Sequence, residues 1–187
     1  PMHVAAMVGR ELCMTKLPPK AVIKAGQNKR GITPLCYAVQ FIYVEAAKVL
    51  TEVEVGDKRV DPDVEDSAGW TPIRHAAEMG VIPMVEVLLD AKADLGRRYE
   101  QMSTLLHCVI KTRKQGDVVK LKIIESLLKR EVDLDQRDQN NDTALHMAVK
   151  RRMLPVIKLL VEAGAELDIQ GGNSNTALHT AAELCYI

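Results

Sequence analysis

Four histidines occupy the same position of a short recurring phrase, and their number alone would suit a metal centre. They are His3, His107, His146 and His179. A zinc ion needs its ligands to converge at roughly 2 Å. Phrases that recur at intervals of 33 residues or more predict separate, stacked units, and packed helices lie roughly 10 Å apart. The spacing therefore favours a structural role for these histidines and no metal site.

Nucleophilic chemistry is no better supported by the cysteines. Cys108 directly follows His107, and consecutive residues of a helix point about 100° apart, so this thiol and imidazole are not placed as a catalytic pair. The chain contains no glycine-rich phosphate loop, no His-Glu-x-x-His helix and no Gly-x-Ser-x-Gly turn. The sequence therefore predicts that the chain is not an enzyme, and it indicates no cofactor.

The phrase that holds the histidines occurs six times. The copies begin at Thr33, Thr71, Thr104, Thr143 and Thr176, and a copy without its threonine begins at Pro1. If Pro1 is the second residue of its copy, successive copies are 33, 38, 33, 39 and 33 residues apart. The phrase resembles the Thr-Pro-Leu-His-x-Ala signature of the ankyrin repeat, and the resemblance spans essentially all 187 residues.

Each copy is followed by the pattern of a helix, a turn and a second helix. The threonine can cap the first helix, and a proline suits its first turn. Glycines such as Gly80 and Gly164 follow the helices, and Gly116 stands at the delayed turn of the fourth copy. We expect an all-α ankyrin solenoid of stacked helix–turn–helix units with hairpin tips. We expect one domain over residues 1–187, with repeats at about 1–32, 33–70, 71–103, 104–142, 143–175 and 176–187.

The two long intervals contain insertions of different kinds. The insertion within residues 51–62 follows Val49-Leu50 and should lengthen the loop into the next hairpin. The insertion within residues 111–122 precedes Leu127-Leu128 and should lengthen the helices or their turn. Insertions in repeat proteins are often functional, but surface loops also tolerate added residues at little cost. Both interpretations remain open.

The composition indicates the compartment in which the protein is found. The chain is 47% apolar but only 3% aromatic, its formal net charge is zero, and its four cysteines show no Cys-x-x-Cys spacing. This pattern argues against a disulfide framework. No apolar run approaches the roughly 18 residues of a membrane span, and no secretory signal opens the chain. We expect an intracellular protein, cytoplasmic or nuclear, and no insertion into a membrane. Because both ends of the sequence fall inside a repeat, we also expect a segment of a longer protein.

The resemblance implies where a partner would bind. In ankyrin repeats, ligands contact the hairpin tips and the exposed side of the first helices, which together form a concave face. At these positions the first three repeats carry apolar and aromatic residues, including the only Trp and the only Phe of the chain: Met7, Ile32, Tyr37, Phe41, Trp70, His75 and Met79. Exposed aromatic residues and methionines are typical of binding hot spots. The alternative is that Phe41, Met79 and Trp70 pack against neighbouring parts of the chain.

The fourth and fifth repeats place basic residues on the same face. These residues are Lys111, Arg113, Lys114, Lys150, Arg151 and Arg152, and neither run contains a carboxylate. Such a surface favours an acidic or phosphorylated stretch of a partner, although a solvated helix end would look the same in the sequence.

The sequence therefore predicts a protein–protein interaction module that binds its partner through the concave face. The alternative is a regulatory or inhibitory segment that masks a catalytic or DNA-binding domain. Nucleic acid is disfavoured because the basic runs lack interleaved aromatic residues and the net charge is zero. The partner's identity and the oligomeric state do not follow from the sequence.

Overall fold

Helices follow one another in pairs along the chain. The computed structural model describes residues 27–28, 31–55 and 58–184, and it divides into two compact units at residues 94 and 95. The first unit contains α1 (Pro34–Gln40), α2 (Val44–Glu52), β1 (Glu54–Val55), β2 (Lys58–Arg59), α3 (Pro72–Met79) and α4 (Ile82–Asp90). The second unit contains a 3-10 turn (Glu100–Met102), α5 (Leu105–Lys111), α6 (Asp117–Leu128), α7 (Ala144–Lys150), α8 (Leu154–Glu162) and α9 (Ala177–Glu183).

The recurring threonine begins each first helix as the sequence predicts. The hydroxyl oxygen of Thr33 accepts a hydrogen bond from the backbone N–H of Cys36 at 3.1 Å. Thr143 and Thr176 make the same bond to the N–H three residues later. Such bonds satisfy backbone donors that have no partner within the helix.

Short turns connect the first helix of each pair to the second. Gly80 follows α3 with a φ of 76°, the left-handed conformation that glycine adopts at low cost. The equivalent position after α1 is Ile42, with a φ of 61°, and after α7 it is Arg152, with a φ of 57°. Gly116 differs, because it has an extended backbone and stands at the N-cap of α6. Gly164, after α8, is left-handed as expected, with a φ of 92°.

The links between repeats end in hairpin tips, and two of these tips are built on an aspartate. One carboxylate oxygen of Asp66 accepts from the backbone N–H groups of Ala68 at 2.9 Å and Trp70 at 3.0 Å. Asp138 makes the equivalent bonds to Asn140 and Asp142. This local pattern explains why Asp is favoured at the start of these turns.

The core of each unit consists of aliphatic side chains between stacked helices. In the first unit α1 packs against α3 and α2 against α4, and they bury Leu35, Leu50, Ile73, Met84 and Leu88. In the second unit α7 packs against both α5 and α9, and α8 packs against α6. Its largest fully buried side chains are Leu105, Leu106, Ile110, Ile123, Ile124 and Leu127. Because aliphatic side chains fill most of these cores, the chain needs few aromatic residues.

Both insertions occur where the sequence predicts them. After α2, the added residues form two antiparallel strands of two residues each, β1 and β2, in which Glu54 lies opposite Arg59. In the fourth repeat, the turn at residues 112–116 is longer, and α6 has 12 residues where α2, α4 and α8 each have 9. Within the part of the chain that the structure describes, no helix is long and apolar enough to cross a membrane.

Candidate functional site

The recurring histidine is a structural residue in both repeats where a described hairpin follows it. His107 Nε2 lies 3.1 Å from the main-chain oxygen of Asp142, and His146 Nε2 lies 3.1 Å from that of Asn175. On the other side of each ring, Nδ1 lies within 2.9 Å of the threonine hydroxyl that caps the helix. Burial lowers the pKa of His107. These bonds confirm the predicted structural role of His107 and His146. His3 lies outside the described residues.

Cys36 and Arg74 stand where the other repeats have histidine, and they make different contacts. The Cys36 sulfur lies 3.2 Å from the Thr33 hydroxyl and 3.8 Å from the main-chain oxygen of Val64. Burial raises the pKa of this thiol, so it is a poor nucleophile. The Arg74 guanidinium instead lies over the Trp70 ring, with its carbon 3.9 Å from the ring centre.

An aromatic stack lies at the end of α1 in the first unit. Phe41 is 48% exposed, and its ring is stacked between Tyr37, with centres 6.3 Å apart, and Tyr43, with centres 6.0 Å apart. The Tyr37 hydroxyl accepts a hydrogen bond from the Asn28 side chain at 3.1 Å. We call Tyr37, Phe41 and Tyr43 the aromatic stack. Sequence reasoning placed the first two on the binding face and missed Tyr43, although it follows two residues after Phe41 in the same turn.

Other exposed apolar side chains lie at positions related to Phe41. Met79 ends α3 at the repeat position that Phe41 has directly after α1, eight residues after the recurring threonine, and it is 39% exposed. Ile42, which sequence reasoning also missed, is 52% exposed beside Phe41. Ile32 is only partly buried, and Met7 lies outside the described residues. Phe41 and Met79 are thus accessible at the surface of the first unit.

Trp70 and His75 form a second group in which each side chain is partly buried. The Trp70 ring covers Arg74, which is 8% exposed, and its centre lies 4.9 Å from that of the His75 ring. His75 Nε2 lies 2.8 Å from an Asp66 carboxylate oxygen. Partial burial would raise the pKa of Asp66, but the hydrogen bonds from His75, Trp70 and Ala68 lower it. Trp70 is thus partly buried against Arg74 and His75, which is the packing that the sequence left open as the alternative to an exposed position.

The basic residues lie in the second unit, where three of the six line one cleft. This tip cleft has a volume of about 750 Å³. It is lined by Lys111, Asp138, Gln139, Asn140, Asn141, Asp142, Met147, Lys150, Arg151, Gly172 and Asn173. Arg113, Lys114 and Arg152 are exposed but are not among the lining residues. The six basic residues therefore do not all belong to one cleft.

Three of the six basic side chains are bound by oxygen atoms of the protein itself. Lys150 Nζ lies 2.5 Å from an Asp142 carboxylate oxygen. The basic runs do not reveal this ion pair, because Asp142 lies outside them in the sequence. Lys111 Nζ donates to the side-chain oxygen of Gln101. The Arg152 guanidinium donates to the main-chain oxygen of Leu184 at 3.1 Å. Burial and, second, the charge of Arg113 lower the pKa of Arg151.

Lys120 is a basic residue that sequence reasoning did not place in the site. It lies on α6 and is only 6% exposed. Burial chiefly lowers its pKa; Asp117 opposes this effect, and the charge of Arg151 adds to it. The signal was present in the sequence, because Lys120 precedes Ile123, Ile124 and Leu127 at the spacing of a buried helix face.

The described residues are better suited to contacting a ligand than to reacting with one. In the part of the chain that the structure describes, no three His, Cys, Asp or Glu side chains are grouped as metal ligands. The arrangement instead presents an exposed aromatic stack in one unit and a charged cleft in the other.

Comparison with known proteins agrees with this geometry. The family model described as ankyrin repeats (3 copies) matches residues 2–99 and 106–187. No curated protein matches the chain. Ankyrin repeats generally serve as protein–protein interaction modules and are typically not enzymes. The predicted all-α ankyrin-repeat fold is confirmed. Because the matched residues make up nearly the whole sequence, the chain belongs to the ankyrin-repeat family.

Proposed function

We propose that this chain binds a protein partner through its hairpin tips and first helices, with Phe41 as an anchor. The observation that carries the proposal is the exposure of Phe41 in the middle of the aromatic stack. A large apolar ring that stays in water in the free protein gains free energy when a partner covers it. Aromatic residues of this kind dominate the binding energy of many interfaces.

The neighbours of Phe41 support this role because they hold its ring in place. Tyr37 and Tyr43 flank it, and Asn28 holds the hydroxyl of Tyr37. A side chain that is already ordered loses less conformational entropy when a partner binds. Met79, at the equivalent position of the next repeat, is a second exposed and adaptable apolar side chain of the first unit.

The tip cleft supplies a polar surface for the same function. Lys111, Lys150 and Arg151 line it together with side-chain amides of the hairpin tips. Charged groups at an interface speed association and reject partners of the wrong charge. An acidic or phosphorylated stretch of a partner fits this surface better than a basic one.

The setting of this interaction is part of the proposal. We infer that the chain belongs to a larger intracellular protein, in line with the Cys36 side chain, which is a buried free thiol. In the regulatory alternative, a domain that this segment inhibits would occupy the aromatic stack and the tip cleft. The two versions differ in whether the captured partner is a catalytic or DNA-binding domain whose activity falls on binding.

Site-specific photocrosslinking tests the proposed face. A photoreactive amino acid at position 41 of the 187-residue chain should crosslink to a discrete protein, and unlabelled wild-type chain should compete for it. The matched control carries the same group at Val118, an exposed apolar position on the second helix α6. The proposal fails if position 118 captures the same protein with equal yield, or if wild-type chain does not compete.

A further inference from the structure

We propose that the tip cleft binds an extended acidic segment of the partner, with Lys111 and Arg151 as ligands of its carboxylates. The inference rests on the proposed function and names the chemistry of the partner at one of its two surfaces. The residues that line the tip cleft belong to the end of α5, to α7 and the residue after it, and to two successive hairpin tips.

The two carboxylates of the tip cleft are already engaged by the protein itself. Asp138 accepts the backbone N–H groups of Asn140 at 2.8 Å and Asp142 at 3.0 Å with one oxygen, and the Asn140 side chain with the other. Asp142 is ion-paired with Lys150. Their negative charges therefore stabilise the hairpin and bind Lys150. The lining contains three cationic side chains, Lys111, Lys150 and Arg151, and only these two carboxylates. The remaining charge of the tip cleft is positive.

Lys111 and Arg151 are the cations of the tip cleft that are not paired with a carboxylate of the described residues. The side-chain bond of Lys111 goes to the neutral amide of Gln101, which leaves its charge uncompensated. Among the residues that the structure describes, no carboxylate forms an ion pair with Arg151. Arg113 and the nearly buried Lys120 both add positive charge near Arg151. A bound carboxylate would relieve this repulsion, so the tip cleft should prefer acidic ligands.

The rest of the lining suits a peptide main chain. Gln139 and Asn173 are exposed tip residues whose amides can donate to and accept from peptide groups. Met147 adds an apolar, adaptable contact. A volume of about 750 Å³ accommodates several residues of an extended chain.

Carboxylates fit the charge arrangement better than a phosphate does. Lys111 belongs to α5, whereas Arg151 follows α7, so the two charges come from separate repeats. Recognition of a phosphorylated residue typically uses clustered arginines that bind one group together. Arg151 is the only arginine among the residues lining the tip cleft, and two single carboxylates along a segment match the arrangement.

Peptide selection on the intact 187-residue chain tests the inference. A library of random ten-residue peptides displayed on phage should yield sequences enriched in Asp and Glu. A fluorescent copy of the best peptide should bind at least tenfold more weakly to Arg151→Gln and to Lys111→Gln. The control is Lys122→Gln, which removes the same charge from an exposed position of α6 outside the cleft and should leave the affinity unchanged. Circular dichroism establishes that each variant is folded.

Three results would overturn the inference. The selected peptides could lack acidic residues, Lys122→Gln could weaken binding as much as Arg151→Gln, or a phosphoserine at an acidic position could bind more than tenfold better than Glu. The last result would make phosphate the ligand. If these tests fail while crosslinking at position 41 succeeds, only the acidic segment is rejected. If the peptide tests and the crosslinking both fail, the proposed function is rejected as well.

Discussion

His107 Nε2 lies 3.1 Å from the main-chain oxygen of Asp142, and this contact ties the first helix of one repeat to the hairpin tip of the next. The backbone N–H of Thr104 donates to Nδ1 of the same ring at 3.3 Å. Nδ1 must therefore be an acceptor, and Nε2 carries the proton that it donates to Asp142. The geometry requires a neutral imidazole, and burial lowers its pKa.

Stability should therefore fall as the solution is acidified. Below a pH of about 6.5 the unfolded chain binds a proton at this histidine, while the folded protein binds it only at a lower pH. Because the unfolded state binds more protons in that window, the free energy of unfolding decreases as pH falls through it. Urea unfolding at pH 7.5 and 5.5 measures the loss, which should be smaller in His107→Gln. An equal loss in wild type and variant would show that His107 does not contribute.

Phe41→Ala should remove binding without unfolding the protein. About half of this side chain is in water, and exposed substitutions usually change stability by less than about 0.5 kcal/mol. We expect at least a tenfold loss of partner affinity, measured with the protein captured at position 41. Val118→Ala, a truncation at another exposed position, should leave affinity unchanged. A large drop in the melting temperature of Phe41→Ala would show that the ring belongs to the core.

Trp70→Ala should instead destabilise the first unit. Its ring covers Arg74 and packs beside His75, so truncation exposes a nearly buried guanidinium. We expect a loss of about 1–3 kcal/mol in denaturant unfolding. Trp70→Phe keeps an aromatic face for Arg74 and should lose less. If Trp70→Ala unfolds at the same denaturant concentration as the wild type, the ring contributes no packing. Trp70 would then be a partner-binding residue, as its position in the repeat predicts.

The turn after α1 holds an isoleucine where glycine would be less strained. Ile42 has a φ of 61°, and Gly80 has the equivalent position after α3 with a φ of 76°. A left-handed conformation costs a residue with a side chain about 1–2 kcal/mol, partly offset because glycine loses more entropy on folding. Ile42→Gly should therefore stabilise the protein by up to about 1 kcal/mol, and Gly80→Ile should destabilise it. Thermal unfolding of both variants tests this, and opposite signs are required.

Gly171 should not tolerate even a methyl group. It stands where Asp66 and Asp138 begin two of the other hairpin tips. An added Cβ would lie 2.6 Å from an Asp142 carboxylate oxygen and 2.9 Å from the His146 ring. Gly171→Ala should cost about 1–3 kcal/mol by overpacking. Gly116→Ala is the matched control, because its Cβ would meet no atom within 4 Å. Equal stability of the two variants in urea would contradict the structure.

The fold was predictable because it is a local and repeated property. The Thr143 cap, the His146 bond and the turn at Gly80 each arise from residues a few positions apart or one repeat apart, so periodicity alone indicates them. The loop after α2 and the longer α6 were likewise visible as changes in repeat length.

The surface followed from the sequence only in part, since exposure depends on which neighbours cover a side chain. The sequence placed both Phe41 and Trp70 at positions of the binding face, yet only the tertiary structure decided that Phe41 is open and that Arg74 and His75 pack on Trp70. It also decided which positive charges remain available. Lys150 is paired with Asp142, eight residues away in the sequence but beside it in space. Residue types and their spacing determine where a repeat places a side chain, whereas its contacts and charge balance depend on groups that only folding brings together.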